Sequence, residues 1–216
     1  MSKPASLRLT AAALCLFGAS AQANLLSNGS FEDGAFVPVP LTNTMSLDVG
    51  DTTMTGWTVV DKKIAWILQP AFGLNASDGQ KFLDLTDYSN LVPFGGVTQA
   101  IATVVGQAYT LSFDLGSSAA YNIPSSVVAI IDANPGVTFV STSINNNVWQ
   151  SFSLNFTAAS VLTSITLTGG SGTPGTFYVG LDNIDVSAVS PVPEPEALVL
   201  ALAGIGIVAA SRRRRT

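Results

Sequence analysis

The chain has 216 residues, no histidine, a single cysteine and a formal net charge of −5. The lack of histidine excludes Ser-His-Asp and Cys-His catalysis, and it also excludes the usual histidine-bound zinc site. The one cysteine, Cys15, falls in a segment that we expect to be removed. The mature protein is therefore expected to contain no disulfide.

The first 23 residues have the layout of a secretory signal peptide. Lys3 and Arg8 form a positive region, an apolar stretch covers 9–20, and "AQA" at 21–23 is a small-x-small cleavage site. This order of charged, apolar and small residues is typical of a signal helix that is cut off during export. The sequence predicts an exported protein whose mature chain starts near Asn24.

Residues 24–187 are predicted to form one domain. Between residues 24 and 190 there are twelve Asp or Glu and three Lys, with no arginine, so the net charge of this stretch is −9. A chain of this length can bury a sizeable core without disulfides. An acidic domain without arginine is poorly suited to phosphate backbones, so we expect no nucleic-acid partner.

Short alternating apolar segments predict that this domain is all-β. Apolar residues occur at alternate positions, and so share one face, in "AYTLSFDL" at 108–115, "WQSFSLNFTA" at 149–158 and "LTSITLTG" at 162–169. "VVAIID" at 127–132 is continuously apolar and could be buried on both faces, and "TFYVGLDNIDVSAV" at 176–189 is the predicted last strand. Turn signals such as "NPG" and "GGSGTPG" separate these runs, which favours an antiparallel β-sandwich.

An ordered set of motifs runs through the domain. In chain order they are "NLLSNGSFEDG", "GWTVV", "ASDGQKFLDL", "GGVTQAIATVVGQAYTLSFDLG", "WQSFSLNFTA" and "GLDNIDV". This string resembles the choice-of-anchor type domains and, more distantly, the galactose-binding-like jelly rolls of carbohydrate-binding modules. The resemblance implies a jelly-roll sandwich over 24–187, in which the opening "NGSFE" and the closing "LDN" segments are neighbours.

The same resemblance implies a structural calcium between those two segments. Carried over to this sequence, its carboxylate ligands are Glu32 and Asp182, with Asp78 as a third and backbone carbonyls near Ser30 and Lys81. Calcium takes six to eight hard oxygen ligands, so mixed carboxylates and carbonyls suit it. The alternative is that Glu32 and Asp182 cap turns or accept hydrogen bonds from the backbone.

The aromatic side chains have two alternative roles, packing in the core or stacking on sugar rings. We expect Trp57 and Trp149 in the core, whereas aromatic residues nearer loops could stack on sugar rings. The candidates for stacking are Trp66, Tyr88, Phe94 and Tyr121, with Asn75, Asp87, Asn90 and Gln99 as polar groups for sugar hydroxyls. A groove with exposed aromatic rings would favour a glycan-binding module, and a smooth acidic surface with buried tryptophans would favour a structural or adhesive protein.

Catalysis is not expected. Paired carboxylates could still serve a glycosidase, and the obvious pairs are Asp84 with Asp87 and Asp182 with Asp185. Because side chains alternate along a strand, residues at an odd spacing point to opposite faces. This parity predicts that Asp182 and Asp185 are separated, and it separates Asp84 from Asp87 if the strand continues that far. The chain is expected to be no enzyme.

The C-terminal tail is tripartite. Pro193-Glu194-Pro195 follows a proline-rich spacer at 188–196, an apolar segment covers 197–211, and Arg212, Arg213, Arg214 and Arg215 lie in the terminal segment 212–216. As a helix, the fourteen apolar or glycine residues at 197–210 rise about 21 Å, short of the roughly 30 Å of a bilayer core. The arginines would hold the end in the cytoplasm, so we expect a short transmembrane helix rather than a buried core helix.

This tail resembles the PEP-CTERM sorting signal of exported Gram-negative proteins. The resemblance implies recognition and removal of the tail by an exosortase after a transient stay in the inner membrane. It further implies a place at the cell surface or in the exopolysaccharide matrix of a biofilm, with a glycan as the expected partner.

Overall fold

The described part of the chain is an all-β sandwich. The computed structural model describes residues 23–89, 92–117, 124–141, 148–170 and 178–190. These residues form two antiparallel sheets, and no helix occurs in them. The strands are β1 Thr44–Leu47, β2 Thr58–Val60, β3 Ile64–Leu68, β4 Lys81–Asp84, β5 Gly96–Ala102, β6 Ala108–Ser117, β7 Ser126–Ile131, β8 Val137–Val140, β9 Val148–Thr157, β10 Leu162–Gly169 and β11 Gly180–Ala188.

The strand order places the closing segment at the centre of one sheet. The six-stranded sheet runs β1-β3-β4-β11-β6-β9, and the five-stranded sheet runs β2-β5-β10-β7-β8. The predicted all-β, antiparallel class is confirmed. The predicted signal helix and the whole PEP-CTERM tail lie outside the described residues. Within the described residues, no helix is long and apolar enough to cross a membrane.

The main core lies between the two sheets and follows the alternation of the sequence. In β6, Tyr109, Leu111, Phe113 and Leu115 are all buried in this core, as their spacing predicts. In β9 the predicted inward residues are half-buried against the same core, at the edge of the sheet. β7 differs from its prediction, because every second residue is fully buried and Val128 and Ile130 are only half-buried. Its second face is covered only in part, so the continuous apolar run still alternates in burial.

A β-bulge in β11 overturns one prediction. Asp182 pairs with Asp114 and Asp185 with Ser112, so three steps along β11 match two steps along β6. The extra residue shifts the alternation, and Asn183 takes a left-handed backbone with φ of 51°. Asp182 and Asp185 therefore lie on the same face of the sheet, and the prediction that they point to opposite faces is wrong.

A second, smaller apolar cluster covers the outer face of the six-stranded sheet. Phe82 lies at its centre, with Trp149 and Tyr178 packed edge-on against it at ring distances of 5.7 and 6.4 Å. Gly116 and Gly180 lie beneath the Tyr178 ring, where a side chain would collide with it. The segment 69–80 contributes further apolar residues, and Trp149 donates its indole N–H to the carbonyl of Asn75. This segment is therefore fixed on the sheet as a cover.

Candidate functional site

The segment that begins at Asn24 lies beside β11, as the family resemblance implies. The Asn24 side chain donates to the carbonyl of Ile184 and accepts from the N–H of Val186. The backbone N–H of Ile184 donates to the carbonyl of Gly29 at 2.9 Å. The opening segment is irregular rather than a strand, and its turn is tied down by two indoles. Trp57 and Trp66 donate to the carbonyls of Asn28 and Phe31.

Glu32 and Asp182 converge on one segment, 77–81, and hold its two ends. The N–H groups of Gln80 and Lys81 each donate to Oε1 of Glu32 at 2.6 Å. The N–H groups of Ser77 and Asp78 donate to Oδ2 of Asp182 at 2.7 and 3.0 Å. The segment predicted to supply the third calcium ligand is therefore bound through its backbone N–H groups.

These residues do not fit a calcium ion in this arrangement. A cation needs oxygen lone pairs around it, whereas N–H donors point at both carboxylates. The Lys81 ammonium also lies 3.4 Å from Oε2 of Glu32 and 2.9 Å from its carbonyl oxygen. No group of three or more acidic side chains within the described ranges is placed to hold a metal. The geometry matches the alternative reading, in which these carboxylates accept backbone donors.

Two buried aspartates carry raised pKa values. Burial raises the pKa of Asp84 to about 6, although four hydrogen bonds from Val179, Thr86 and Tyr88 oppose the shift. Burial raises the pKa of Asp182 to about 7, and the nearby Asp78 charge adds to the effect. Asp182 has no exposed surface and is bound by three backbone N–H groups, so the Asp182–Asp185 pair cannot reach a substrate as a glycosidase pair would.

The predicted stacking residues fall in different environments. Trp66 is fully buried in β3 and Phe94 is buried in the main core, so neither ring has a face open to a sugar. The run "IAWIL" was the signal for Trp66, since a continuous apolar run is typical of a buried strand. Tyr88 is exposed at a turn. Tyr121 and Asn90 lie outside the described residues.

The predicted polar candidates are used mostly within the protein. Gln99 is bonded to Ser27 through both its amide oxygen and its amide nitrogen. The carbonyl of Asn75 accepts the Trp149 indole, as described above. Asp87 accepts a hydrogen bond from the Ser46 hydroxyl at 2.6 Å and lines a surface cavity. The half-buried Asp87 carboxylate thus lies at a cavity that a sugar hydroxyl can enter.

Two neighbouring turns present an exposed aromatic pair. In the first, the N–H of Leu74 donates to the carbonyl of Ala71, and the residues between them, Phe72 and Gly73, have φ of 53° and 74°. In the second turn, 86–89, the two central residues, Asp87 and Tyr88, have φ of 47° and 60°. Positive φ at both central positions is the pattern of a type I′ turn, which favours Asn, Asp and Gly.

The two turns meet through their aromatic rings. Phe72 and Tyr88 contact each other edge-to-face, with ring centroids 5.6 Å apart. Phe72 is 64% exposed and Tyr88 is 39% exposed. A left-handed backbone costs a non-glycine residue about 1 to 2 kcal/mol, and Phe72 leaves most of its surface exposed in this conformation. Strained backbone at exposed positions is a feature of ligand-binding sites.

Asp84 holds the second turn from below. Its carboxylate accepts hydrogen bonds from the N–H and the hydroxyl of Thr86 at 3.0 and 2.9 Å, and from the N–H of Tyr88 at 3.4 Å. The N–H of Val179, next to β11, donates to the same carboxylate at 3.0 Å. The position of Tyr88 is thereby coupled to the centre of the sheet.

A small cavity opens beside this turn. Its volume is about 170 Å³. One wall is the Lys62–Lys63 turn, and the other is formed by Thr86, Asp87, Ser89 and residues 93–95. Gly95 lets the walls approach closely, because a Cβ there would lie 2.5 Å from the carbonyl oxygen of Lys62. Phe72, Lys62 and Lys63 were not predicted as site residues. An aromatic residue before glycine in a "PAFG" turn and a "DKK" turn are the weak signals that marked them.

Comparison with known sequences settles the family of this domain. The sequence model of DUF642, a family described as protein of unknown function, matches residues 24–186. The chain belongs to the DUF642 family. The PEP-CTERM protein-sorting motif matches residues 191–215, which confirms the predicted sorting signal and marks this DUF642 protein as exported. No curated protein matches the chain in sequence.

Several solved structures are distantly similar to this DUF642 chain. A tailspike protein 4 domain of Bacteriophage CBA120 shares 14% identity at a TM-score of 0.45, covering 77% of this chain and 21% of the tailspike. TmCBM61 in complex with β-1,4-galactotriose shares 15% identity at a TM-score of 0.43, covering 77% of this chain and 99% of that module. A family 35 carbohydrate binding module from Clostridium thermocellum shares 16% identity at a TM-score of 0.42, covering 66% of this chain and 97% of that module. The DUF642 chain thus spans about a fifth of the tailspike's length.

Proposed function

We propose that this DUF642 protein is an exosortase-sorted protein of the cell surface or exopolysaccharide matrix, and that its domain binds carbohydrate. The binding surface is the aromatic pair of Phe72 and Tyr88 together with the adjoining cavity. The sorting motif supports export and processing of the tail. Transient membrane residence and a place in a biofilm matrix belong to this proposal.

One observation carries the proposal, namely the exposed edge-to-face contact between Phe72 and Tyr88. Both residues occupy turn positions that favour small polar residues, so turn formation alone does not account for aromatic side chains there. Flat apolar rings with a polar handle suit the C–H faces of sugars, and Tyr88 supplies a hydroxyl as well. The Asp87 carboxylate, one residue away, can accept hydrogen bonds from sugar hydroxyls.

The second candidate is a structural or adhesive matrix protein without a sugar site. Its supporting observation is that Trp57 and Trp66 are buried, while Trp149 packs beneath the cover segment 69–80. The exposed Phe72–Tyr88 pair favours the carbohydrate-binding function over this alternative.

Substitution of both aromatic residues tests the proposal. The full chain in mild detergent is compared with the double variant F72A/Y88A in affinity electrophoresis through gels containing neutral or acidic polysaccharides. Loss of two stacking rings is expected to weaken binding roughly tenfold or more, at about 1 kcal/mol for each ring. V161A is the control, because Val161 is also an exposed apolar residue and lies on a different loop. Equal retardation of wild type and F72A/Y88A would contradict the proposed surface.

A further inference from the structure

The cavity beside Tyr88 collects the positive charge of an otherwise acidic domain. Residues 24–190 contain three lysines and no arginine or histidine, against twelve acidic residues. Two of the three lysines, Lys62 and Lys63, line this one cavity. The third, Lys81, is bound to Glu32 on another surface of the domain. Positive charge is therefore concentrated at a single concave site.

Neither cavity lysine is strongly neutralised by the protein. Lys63 lies 3.3 Å from Oδ1 of Asp48, but both side chains are exposed, and such surface pairs contribute little. Among the described residues, no carboxylate lies within 4.0 Å of the Lys62 ammonium. The remaining charges of the domain are largely screened beyond about 8 Å at physiological ionic strength. An anion that enters the cavity therefore meets these two ammonium groups on one wall and the Asp87 carboxylate on the other.

The cavity also contains groups that recognise a sugar rather than a bare anion. Asp87 places a carboxylate in the wall, and a carboxylate accepts hydrogen bonds from hydroxyl groups. Pro93, which is exposed, adds an apolar part to the lining. A ligand that satisfies both sets of groups carries one negative charge, several hydroxyls and an apolar C–H surface. A uronic acid has these three features.

The walls of the cavity are fixed before any ligand binds. The N–H of Gly95 donates to the carbonyl of Leu85 at 2.8 Å, and its carbonyl accepts from the N–H of Gly169 at 2.9 Å. The Lys62 N–H donates to the carbonyl of Val60 at 2.8 Å, and Asp84 holds the turn at 86–88. A preformed site loses less conformational entropy on binding.

We infer that this cavity binds the carboxylate of a uronic-acid residue, so that the glycan recognised by the domain is acidic. Lys62 and Lys63 bind the sugar carboxylate, and Asp87 accepts hydrogen bonds from the hydroxyl groups of the same sugar. The neighbouring sugar unit of the glycan stacks on Phe72 and Tyr88. This inference rests on the proposed function and specifies the class of glycan that the same surface selects.

The test compares one polymer in two charge states. The full chain in mild detergent is titrated calorimetrically with alginate and with carboxyl-reduced alginate, whose uronic acids have become neutral sugars. Wild type is expected to bind alginate at least tenfold more tightly than the reduced polymer. K62Q/K63Q is expected to lose this preference, and K62R/K63R is expected to keep it, since the charge remains.

The outcomes separate this inference from the proposed function. Equal affinity of wild type for both polymers, or unchanged alginate binding by K62Q/K63Q, overturns the uronic-acid inference. If the reduced polymer is still bound and F72A/Y88A loses that binding, the proposed function stands without it. Binding of neither polymer nor of the host's own exopolysaccharide overturns both. Equal melting temperatures of the lysine variants and wild type show that the fold is intact.

Discussion

Lowering the pH from 8 to 5 is expected to stabilise this protein. Burial raises the pKa of Asp84 to about 6 and that of Asp182 to about 7, against 3.8 for an exposed aspartate. Between these values the folded state binds more protons than the unfolded state, so the free energy of unfolding rises as the pH falls. The stabilisation is lost again as the pH rises through 6 and 7.

The size of the effect follows from the two pKa values. One pH unit of protonation difference corresponds to about 1.4 kcal/mol. As the pH falls from 8 to 5, Asp84 is protonated in the folded state alone over about one pH unit, and Asp182 over about two pH units. Their contributions are about 1 and about 3 kcal/mol, or about 4 kcal/mol together. This is a large part of the stability of a typical domain.

Urea denaturation of the full chain at pH 5, 6, 7 and 8 measures the slope directly. The D182N variant is expected to lose about two thirds of the pH dependence and D84N about one third. Each asparagine replaces an acceptor oxygen by a donor, which shifts the stability by a constant amount and leaves the slope as the readout. A free energy of unfolding that falls steadily from pH 8 to 5, or an unchanged slope in D182N, would refute the argument from burial.

Further predictions concern the hydrogen bonds of Glu32 to the segment 77–81, the effect of calcium, and the packing of Gly180. The E32Q variant is expected to lower the free energy of unfolding by about 1 to 3 kcal/mol, since charge-assisted hydrogen bonds to two backbone N–H groups are weakened. A stability equal to wild type in urea would contradict that role. Millimolar calcium or a chelator is expected to leave the melting temperature unchanged, and a concentration-dependent rise with calcium would show a metal site. The G180A variant places a Cβ 2.7 Å from Cζ of Tyr178, which is expected to cost about 1 to 3 kcal/mol; an unchanged melting temperature would contradict the close packing.

Strands were predictable from the sequence because their signal is local. The alternation of β6 is contained in the segment itself, and one buried face is enough to produce it. The bulge at Asn183 has no such signal, because one extra residue moves every later side chain to the other face. The shared face of Asp182 and Asp185 was missed for this reason.

The candidate site could be predicted only in part. Tyr88 was identified by its position in a polar loop, and Glu32 and Asp182 were correctly expected to meet near "SDGQK". Sequence could not show whether oxygen atoms or N–H groups would face those carboxylates. Likewise, Phe72 and Tyr88 meet only because β3 and β4 pair between them, and Lys62 reaches the cavity through packing against Gly95.

Carbohydrate binding by the Phe72–Tyr88 surface is tested most directly by a calorimetric titration of the full chain with the host's own exopolysaccharide. The structure predicts saturable binding by wild type and by V161A, and affinity reduced at least tenfold in F72A/Y88A. No binding by wild type, or equal binding by F72A/Y88A, would contradict it.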